Sequence, residues 1–169
     1  MAIELHYCYC LLMGYKEKAR QILNDNLYCT IATSTLNGTP WISPVFFAYD
    51  ETYNIFWISS KEAKHSALLK LNPQAAIVIF DSKAPEGKGD AVYMESTVTV
   101  LTRTDDIERG MNILGKRVSK DEFKAHSATE VTGENMWRIY KAVPNAIYTL
   151  SEGKYVNGQY IDTKVLISL

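Results

Sequence analysis

Hydrophobic and polar positions alternate with two different periods along the chain, and the changes of period mark predicted strands and helices. From Lys16 to Leu27, apolar residues recur every three or four positions, which predicts a helix. Tyr28 to Ser34 then alternates and is rich in β-branched residues, and Asn37-Gly38 follows as a hairpin turn signal. The next stretch, Trp41 to Tyr49, is almost entirely apolar or aromatic. This part of the chain therefore predicts a helix followed by a strand pair.

The second strand of that pair contains Ser43-Pro44. Proline lacks the N–H donor that a ladder needs, so we expect this stretch to be a sheet edge, a bulge or a place where another group approaches the backbone. A third strand is predicted from Tyr53 to Ser59, after a short Asp50-Glu51 turn.

The middle of the chain changes from helical to strand periodicity. A helix is predicted from Lys61 to Leu71, ended by Asn72-Pro73, and a buried strand from Ala75 to Phe80. Ala84 to Asp90 contains proline, glycine and charges, which predicts a mobile loop. Ala91 to Arg103 is the longest alternating stretch, long enough to bend round a barrel.

The remaining elements are two helices and further strands. The helix starts are indicated by Asp105 with Glu108 and by Ser119 with Glu122. The strand patterns cover Met136 to Tyr140 and Asn145 to Leu150, and a hairpin-like tail surrounds Asn157-Gly158. The order contains too many consecutive strands for a doubly wound parallel sheet. It predicts a mainly β (α+β) fold, a small antiparallel barrel with peripheral helices, formed as a single domain by residues 16–169.

Residues 1–15 are expected to form a poorly ordered leader. Their apolar stretch, Leu5 to Gly14, is far shorter than the roughly 20 residues of a membrane-spanning helix. The first basic residue, Lys16, follows this stretch, whereas a secretory signal has its basic residues before it. We therefore expect no membrane association and a cytoplasmic protein.

The leader also contains His6, Cys8 and Cys10 at alternate positions. On a strand these side chains would share one face, where they could ligate zinc or haem iron. The alternative is that the cysteines are small hydrophobic residues, kept reduced like Cys29.

Composition narrows the function classes. The 169 residues are 47% hydrophobic and 22% charged, with a formal net charge of −1. This composition is typical of one globular domain and excludes a disordered chain or a disulfide scaffold. The balanced charge argues against a nucleic-acid-binding protein, whose affinity comes largely from Lys and Arg on phosphates.

Recognisable catalytic motifs are absent from the sequence. Gly87-Lys88-Gly89 lacks the spacing of a phosphate-binding Walker loop, and no dinucleotide fingerprint, nucleophile elbow or zinc-ligand spacing occurs. The sequence therefore predicts neither a catalytic side chain nor a metal site.

One constellation does indicate a ligand. Ser59 and Ser60 end a strand, and Lys61 and Lys64 open the helix that follows. Hydroxyls, lysines and the free N–H groups of a helix start suit a phosphate monoester, and the aromatic strand before them could take a flat ring. The alternative is a core strand, a serine cap and two solvated lysines.

An ordered series of short segments runs through roughly residues 16–150. The segments are Ile31-Ala32-Thr33, Asn37-Gly38-Thr39-Pro40, Ile42 to Phe47, Ile58-Ser59-Ser60, Lys64, Leu71-Asn72-Pro73, Ala76-Ile77-Val78, Val92 to Ser96 and Trp137 to Ile147. This series resembles the pyridoxamine 5'-phosphate oxidase-like family of FMN-binding split barrels. The resemblance implies an antiparallel split barrel and a homodimer with FMN at the interface.

The resemblance also implies which residues bind the cofactor. The strand matching Ser43, Pro44 and Val45 runs along the isoalloxazine, mainly through its backbone. Ile58 and Ser59 match positions near the ring and the ribityl chain, with Ser60 beside them. Lys64 matches the phosphate-binding basic residue, and Trp137 an aromatic residue that tends to come from the partner subunit.

The sequence departs from the family pattern at several positions. Ala63 stands where many members have a second phosphate-binding basic residue, which Lys61 or His65 could replace. Ala91 and Ser96 replace a usual Gln and Gly, and the Thr163 to Leu169 tail lacks the Arg and His that hold substrate in the vitamin-converting oxidase. Oxidation of pyridoxamine phosphate is therefore not predicted.

Three functions remain open. The first is an FMN-dependent flavoprotein oxidoreductase, in which the cofactor carries hydride or electrons and the partner is a small-molecule substrate or a nicotinamide donor. The second is a non-catalytic module that binds flavin, deazaflavin or haem, with His6 or His65 as an iron ligand in the haem version. The third is a structural dimer whose pocket binds no cofactor.

Overall fold

The computed structural model describes the backbone of residues 2–167 and the side chains of residues 14–167. The helices are α1 (Ala2–Asp25), α2 (Lys64–Leu71) and α3 (Thr104–Gly115), with short 3-10 turns at Asp121–Phe123 and Ala128–Val131. The strands are β1 (Tyr28–Ser34), β2 (Pro40–Phe46), β3 (Ala48–Tyr49), β4 (Ile55–Ser60), β5 (Gln74–Phe80), β6 (Ala91–Val100), β7 (Trp137–Val156) and β8 (Gln159–Ile167). None of the helices within residues 2–167 has the length and hydropathy needed to cross a membrane.

All eight strands belong to one sheet, in the order β2-β1-β5-β6-β7-β4-β3, with β8 also paired to β7. The pairings are antiparallel throughout, and the sheet is not closed. β7 is 20 residues long and pairs with three strands. β4 pairs with its first part, β6 with its middle and β8 with its last part. The mainly β antiparallel architecture with peripheral helices is thus confirmed.

Two hydrophobic clusters stabilise the curved sheet. The larger one lies inside the barrel and includes Ile31, Trp57 and Ile147, with Leu23 of α1 packed against it. The smaller one lies under α3, where Ile107 and Leu114 pack on the other face of β4 and β7. Alternate residues of β4 therefore belong to different clusters, which is the period-2 pattern expected of a strand covered on both faces.

The fold differs from the predicted elements where the sequence pattern is ambiguous. The two strands predicted at Met136 to Tyr140 and Asn145 to Leu150 are parts of the single strand β7, which begins at Trp137, because Pro144 lies opposite a register shift next to Ser96 and does not end the pairing. The predicted strand Trp41 to Tyr49 divides at Phe47 into β2 and β3. The helix predicted at Ser119 is only a 3-10 turn.

The two predicted hairpins differ in their turns. At Asn157-Gly158 both residues have positive φ, 50° and 78°, and Val156 pairs with Gln159 across a two-residue loop. Glycine and asparagine tolerate this left-handed conformation best. At Asn37-Gly38 only Gly38 has positive φ, and the loop extends from Thr35 to Thr39.

The first helix is longer than predicted. α1 begins at Ala2, so the backbone of the segment that we expected to be a poorly ordered leader is helical. His6, Cys8 and Cys10 therefore do not lie on a strand. Their side chains are outside the described part of the structure.

Cys29 provides a test of the barrel interior. Its side chain is buried on β1, and burial raises the pKa of the thiol to about 12. We expect a variant with Cys8→Ser and Cys10→Ser to resist iodoacetamide at pH 8 when folded and to gain one adduct in denaturant, as measured by intact mass. Rapid labelling of the folded chain would contradict this packing of β1.

Candidate functional site

The predicted ligand site lies where β4 ends and α2 begins, and Ser60 organises this turn. Its hydroxyl accepts a hydrogen bond from the Glu62 N–H at 3.1 Å. Its carbonyl accepts from the Ala63 N–H at 3.1 Å and from the Ser66 hydroxyl at 2.7 Å. Ser60 therefore fixes the direction in which α2 leaves the sheet, a role that its position at a strand end does not indicate.

Lys61 connects this turn to the start of β7. Its N–H donates to the Met136 carbonyl at 2.8 Å, and its ammonium donates to the Glu134 carbonyl at 3.2 Å. In the same region Ser60 pairs with Trp137 across β4 and β7. The structure thus brings Ser60, Lys61 and Trp137 of one chain together.

Lys64, the predicted phosphate ligand, lies against β2. Its ammonium nitrogen is 3.8 Å from the centroid of the Trp41 ring, a cation–π contact. The Trp41 indole N–H in turn donates to the Ser43 hydroxyl at 3.0 Å. Sequence reasoning missed the role of Trp41, because its distance from Lys64 along the chain gives no signal of this contact.

The first turn of α2 has unsatisfied donors. Ala63 precedes the helix, and no side chain caps this end. The first N–H groups of a helix have no intrahelical acceptor, and the helix dipole favours an anion there. With Lys61 and Lys64 nearby, the donor set suits a dianionic phosphate.

His65 does not replace the missing basic residue. Its side chain is 8% exposed, and Nε2 has no hydrogen-bond partner. Burial lowers the pKa of His65 below its usual value, so the ring is neutral near pH 7. The positive charge of this site therefore comes from Lys61 and Lys64.

Burial of His65 makes stability depend on pH. Below pH 6.5 the unfolded chain takes up a proton at this residue, whereas the folded chain keeps the ring neutral, so acid favours unfolding. We expect the free energy of unfolding to fall as the pH decreases from about 7 to 5, and His65→Gln to reduce this slope. Urea denaturation at a series of pH values measures it.

His126 offers the matched control, because it is exposed in the loop before β7. His126→Gln should leave the slope close to that of the wild type. A slope that changes with His126→Gln and not with His65→Gln would contradict the assignment to the buried ring.

The strand predicted to lie along a flat ring is an edge strand. β2 ends the strand order, and its pairing with β1 has no register shift, so Pro44 causes no bulge. Val45 points into the barrel core and is buried, while Ser43 is half-buried and Pro44 is exposed. At Val45 only the backbone can approach a ligand.

Ile58 and Trp137 lie on the face of the sheet that α3 covers. Trp137 is 52% exposed. Both residues line a cavity of about 620 Å³ between the sheet, the end of α3 and residues 119–131. The contribution of residues 119–131 to this cavity could not be predicted, since their polar pattern is typical of a loop.

The other face of β4 supports the site from inside the barrel. Trp57 is fully buried, and its ring stacks on Tyr140 with centroids 5.4 Å apart and planes at 11°. Burial raises the pKa of Tyr140. This aromatic pair fixes β4 against β7, immediately beside Ile58 and Ser59.

A cluster of side chains that could bind a metal ion is absent from the described part of the chain. Among residues 14–167, no three His, Cys, Asp or Glu side chains converge.

Most of the chain, including this site, matches a known protein family. A family model described as pyridoxamine 5'-phosphate oxidase matches residues 15–140, which include β1 to β6, α2 and the start of β7. The chain belongs to the pyridoxamine 5'-phosphate oxidase family. No curated protein matches the sequence.

Solved structures agree with the pyridoxamine 5'-phosphate oxidase fold. A candidate 5-nitroimidazole antibiotic resistance protein of Bacteroides thetaiotaomicron is 15% identical, with a TM-score of 0.64 over 79% of this chain and 82% of that one. A haem-binding protein of Mycobacterium smegmatis is 18% identical, with a TM-score of 0.64 over 87% of this chain and 56% of its own length. An FAD-binding protein of Mesorhizobium loti is 13% identical, with a TM-score of 0.57 over 78% and 91%. At these identities the likeness concerns the fold.

Proposed function

We propose that the protein is an FMN-dependent flavoprotein oxidoreductase that acts as a cytoplasmic homodimer on a small-molecule substrate, with a nicotinamide donor. The observation that carries this proposal is the junction of β4 and α2, where Lys64 opens a helix that no side chain caps, with its ammonium against the Trp41 ring, and the Lys61 ammonium lies 3.2 Å from the Glu134 carbonyl. A phosphate monoester needs this combination of charge and N–H donors.

The residues of the chain would bind the parts of FMN separately. Lys61, Lys64 and the first N–H groups of α2 would hold the phosphate. The Ser60 side chain, on the same face of β4 as Ile58, would face the ribityl chain, and Ser59 would approach it through its backbone. The backbone of β2 and the side chain of Ile58 would lie along the ring, and Trp137 would reach it from the partner subunit. FMN supplies hydride and electron transfer when bound, so the protein needs only to bind and orient the reactants.

The proposed dimer would cover an apolar strand face. Tyr28 is 62% exposed and Ile42 is 64% exposed on neighbouring strands β1 and β2, and Phe46 packs edge-on against Tyr28. Exposed apolar patches of this kind mark interaction surfaces. We expect light scattering to give twice the chain mass, and a monomer at micromolar concentration would contradict a site built by two subunits.

A non-catalytic flavin, deazaflavin or haem-binding module is the alternative, favoured by the haem-binding protein among the structural neighbours. Haem needs an accessible ligand to iron, and the buried Nε2 of His65 offers none without rearrangement. His65 therefore does not support the haem version.

The visible absorption spectrum of the purified protein, before and after addition of FMN and removal of excess, tests the proposal. We expect a flavin spectrum with about one FMN per chain that bleaches under anaerobic conditions when a nicotinamide donor is added. A bound flavin that no donor reduces would indicate the binding module. A Soret band would indicate haem, and a colourless protein that does not retain FMN would overturn both flavin functions.

A further inference from the structure

β8 gives the sheet a long free edge. Among the described strands it pairs with β7 alone. The two ends of the strand order are protected in ways that natural sheets use against edge pairing, because β3 has only two residues and β2 contains Pro40 and Pro44. β8 has nine residues and no proline. The N–H and C=O groups along its outer side are therefore available to another strand.

The sequence of β8 is complementary to itself. When a second β8 lies antiparallel to the first with the two Thr163 residues opposite each other, Asp162 of each chain faces Lys164 of the other. Apolar residues face apolar residues on either side of these charges. The flanking pairs are Ile161 with Val165 and Tyr160 with Leu166. Pairs of opposite charge and pairs of apolar side chains directly across a ladder both stabilise it.

The neighbouring registers of this pairing are unfavourable. Only alternate residues of a strand point their N–H and C=O groups outward, so two β8 strands can pair only in every second register. The next allowed register in one direction places the two Asp162 side chains opposite each other, and in the other direction the two Lys164 side chains. Like charges directly opposite are destabilising. The charge pattern therefore specifies one register, centred on Thr163.

The side chains that would pair are exposed on one face of the sheet. Tyr160 is 59% exposed and Leu166 is 53% exposed. Asp162 is exposed and has no ion pair among the described side chains. The Lys164 ammonium lies 4.3 Å from the centroid of the Tyr93 ring on β6, a cation–π contact that holds the lysine on this face. Both charges are therefore in place before a second strand arrives.

We propose that β8 pairs with the β8 strand of a second copy of this chain in a symmetric antiparallel interface, which joins two of the proposed dimers. A two-fold interface is isologous, so each copy contributes both an Asp162 and a Lys164 to it. In the strand order, β5, β6 and β7 separate β8 from β1 and β2, whose apolar face is assigned to the proposed dimer. The two contacts therefore use different surfaces, and pairing of β8 does not depend on bound FMN.

Light scattering over a range of protein concentrations, with charge variants, tests this pairing. A single strand pair is a small interface, so we expect the mass to rise beyond that of the dimer only at submillimolar concentration. Asp162→Lys places lysine opposite lysine at both ends of the interface and should weaken this association about tenfold or more. Asp162→Lys combined with Lys164→Asp reverses both charges and should restore it. Glu86→Lys makes the same change of charge in the exposed loop before β6 and should associate like the wild type.

Cross-linking at Thr163 tests the register directly. Opposite Cα atoms of an antiparallel ladder are about 4.5–5.5 Å apart, a distance that a disulfide spans. In a variant with Cys8→Ser and Cys10→Ser, which leaves only the buried Cys29, we expect Thr163→Cys to give a covalent dimer with diamide on a non-reducing gel. Asp162→Cys is the control, because its copy would lie diagonally across, about 7–8 Å away, and should cross-link much more slowly.

Three results would overturn the β8 interface: no association beyond the dimer, association that Asp162→Lys does not weaken or the double reversal does not restore, and equal cross-linking of Thr163→Cys and Asp162→Cys. The outcomes are also separate from those for the proposed function. A monomer at micromolar concentration that cross-links through Thr163→Cys would support the β8 interface and contradict the FMN-binding dimer. A mass of twice the chain at all concentrations, without this cross-link, would do the reverse.

Discussion

Replacing Lys64 with alanine is expected to weaken FMN binding about 10- to 100-fold. A hydrogen bond to a charged group contributes about 1.5–3 kcal/mol, and each 1.4 kcal/mol changes the dissociation constant tenfold. The Trp41 ring holds the Lys64 ammonium at the start of α2, so the lysine is already positioned before the phosphate arrives. Titration of the apoprotein with FMN, followed by flavin fluorescence, measures the change.

Lys70 is the matched control for this experiment. Lys70 lies in the last turn of the same helix, where the helix dipole favours a cation. This end of the helix is remote from the proposed phosphate. Lys70→Ala should leave FMN affinity close to that of the wild type. Equal affinities for Lys64→Ala and the wild type, with an unchanged circular dichroism spectrum, would contradict the phosphate assignment.

Replacing Trp57 with alanine is expected to lower the free energy of unfolding by about 3–5 kcal/mol. Trp57 is fully buried and stacks on Tyr140, so alanine would leave a cavity between β4 and β7 and remove the aromatic contact. Small domains are stable by about 5–15 kcal/mol, which makes this loss a large part of the total. Urea denaturation followed by circular dichroism measures it.

Trp137 and a conservative substitution provide the comparison for Trp57. Trp137→Ala removes a half-exposed ring and should lower the free energy of unfolding by less than about 1 kcal/mol. Trp57→Phe keeps a ring against Tyr140 and removes the indole N–H, which has no hydrogen-bond partner. Its loss should be well below that of Trp57→Ala. Equal effects of alanine at Trp57 and Trp137 would contradict the barrel interior described above.

Local sequence patterns predicted most elements of the fold, because strands and helices with one buried face have a clear period. β1 has the predicted bounds, and β5 and α2 differ from prediction only near their ends. The patterns failed where tertiary pairing decided the structure. Pro144 suggests a break between two strands, yet β6 pairs with β7 before and after this proline, through a register shift next to Ser96.

The candidate site could be predicted in part. The short sequence from Ser59 to Lys64 indicated its location, since hydroxyls, lysines and a helix start are adjacent along the chain. Trp41 could not be assigned, because its contact with Lys64 depends on how β2 lies beside α2. The neutral state of His65 was also hidden, because the sequence does not reveal that its ring nitrogen is enclosed.

The long strand β7 has a consequence for synthesis of the protein on the ribosome. β4 pairs with β7 from Ile55↔Ala142 to Ser60↔Trp137. The strand that carries Ile58 to Ser60 of the proposed ligand site therefore lacks this neighbour until the first part of β7 has emerged from the ribosome. Pairings between residues so far apart in sequence are slow to form. A nascent chain that ends before Trp137 therefore leaves this edge of β4 unpaired, and unpaired strand edges favour aggregation.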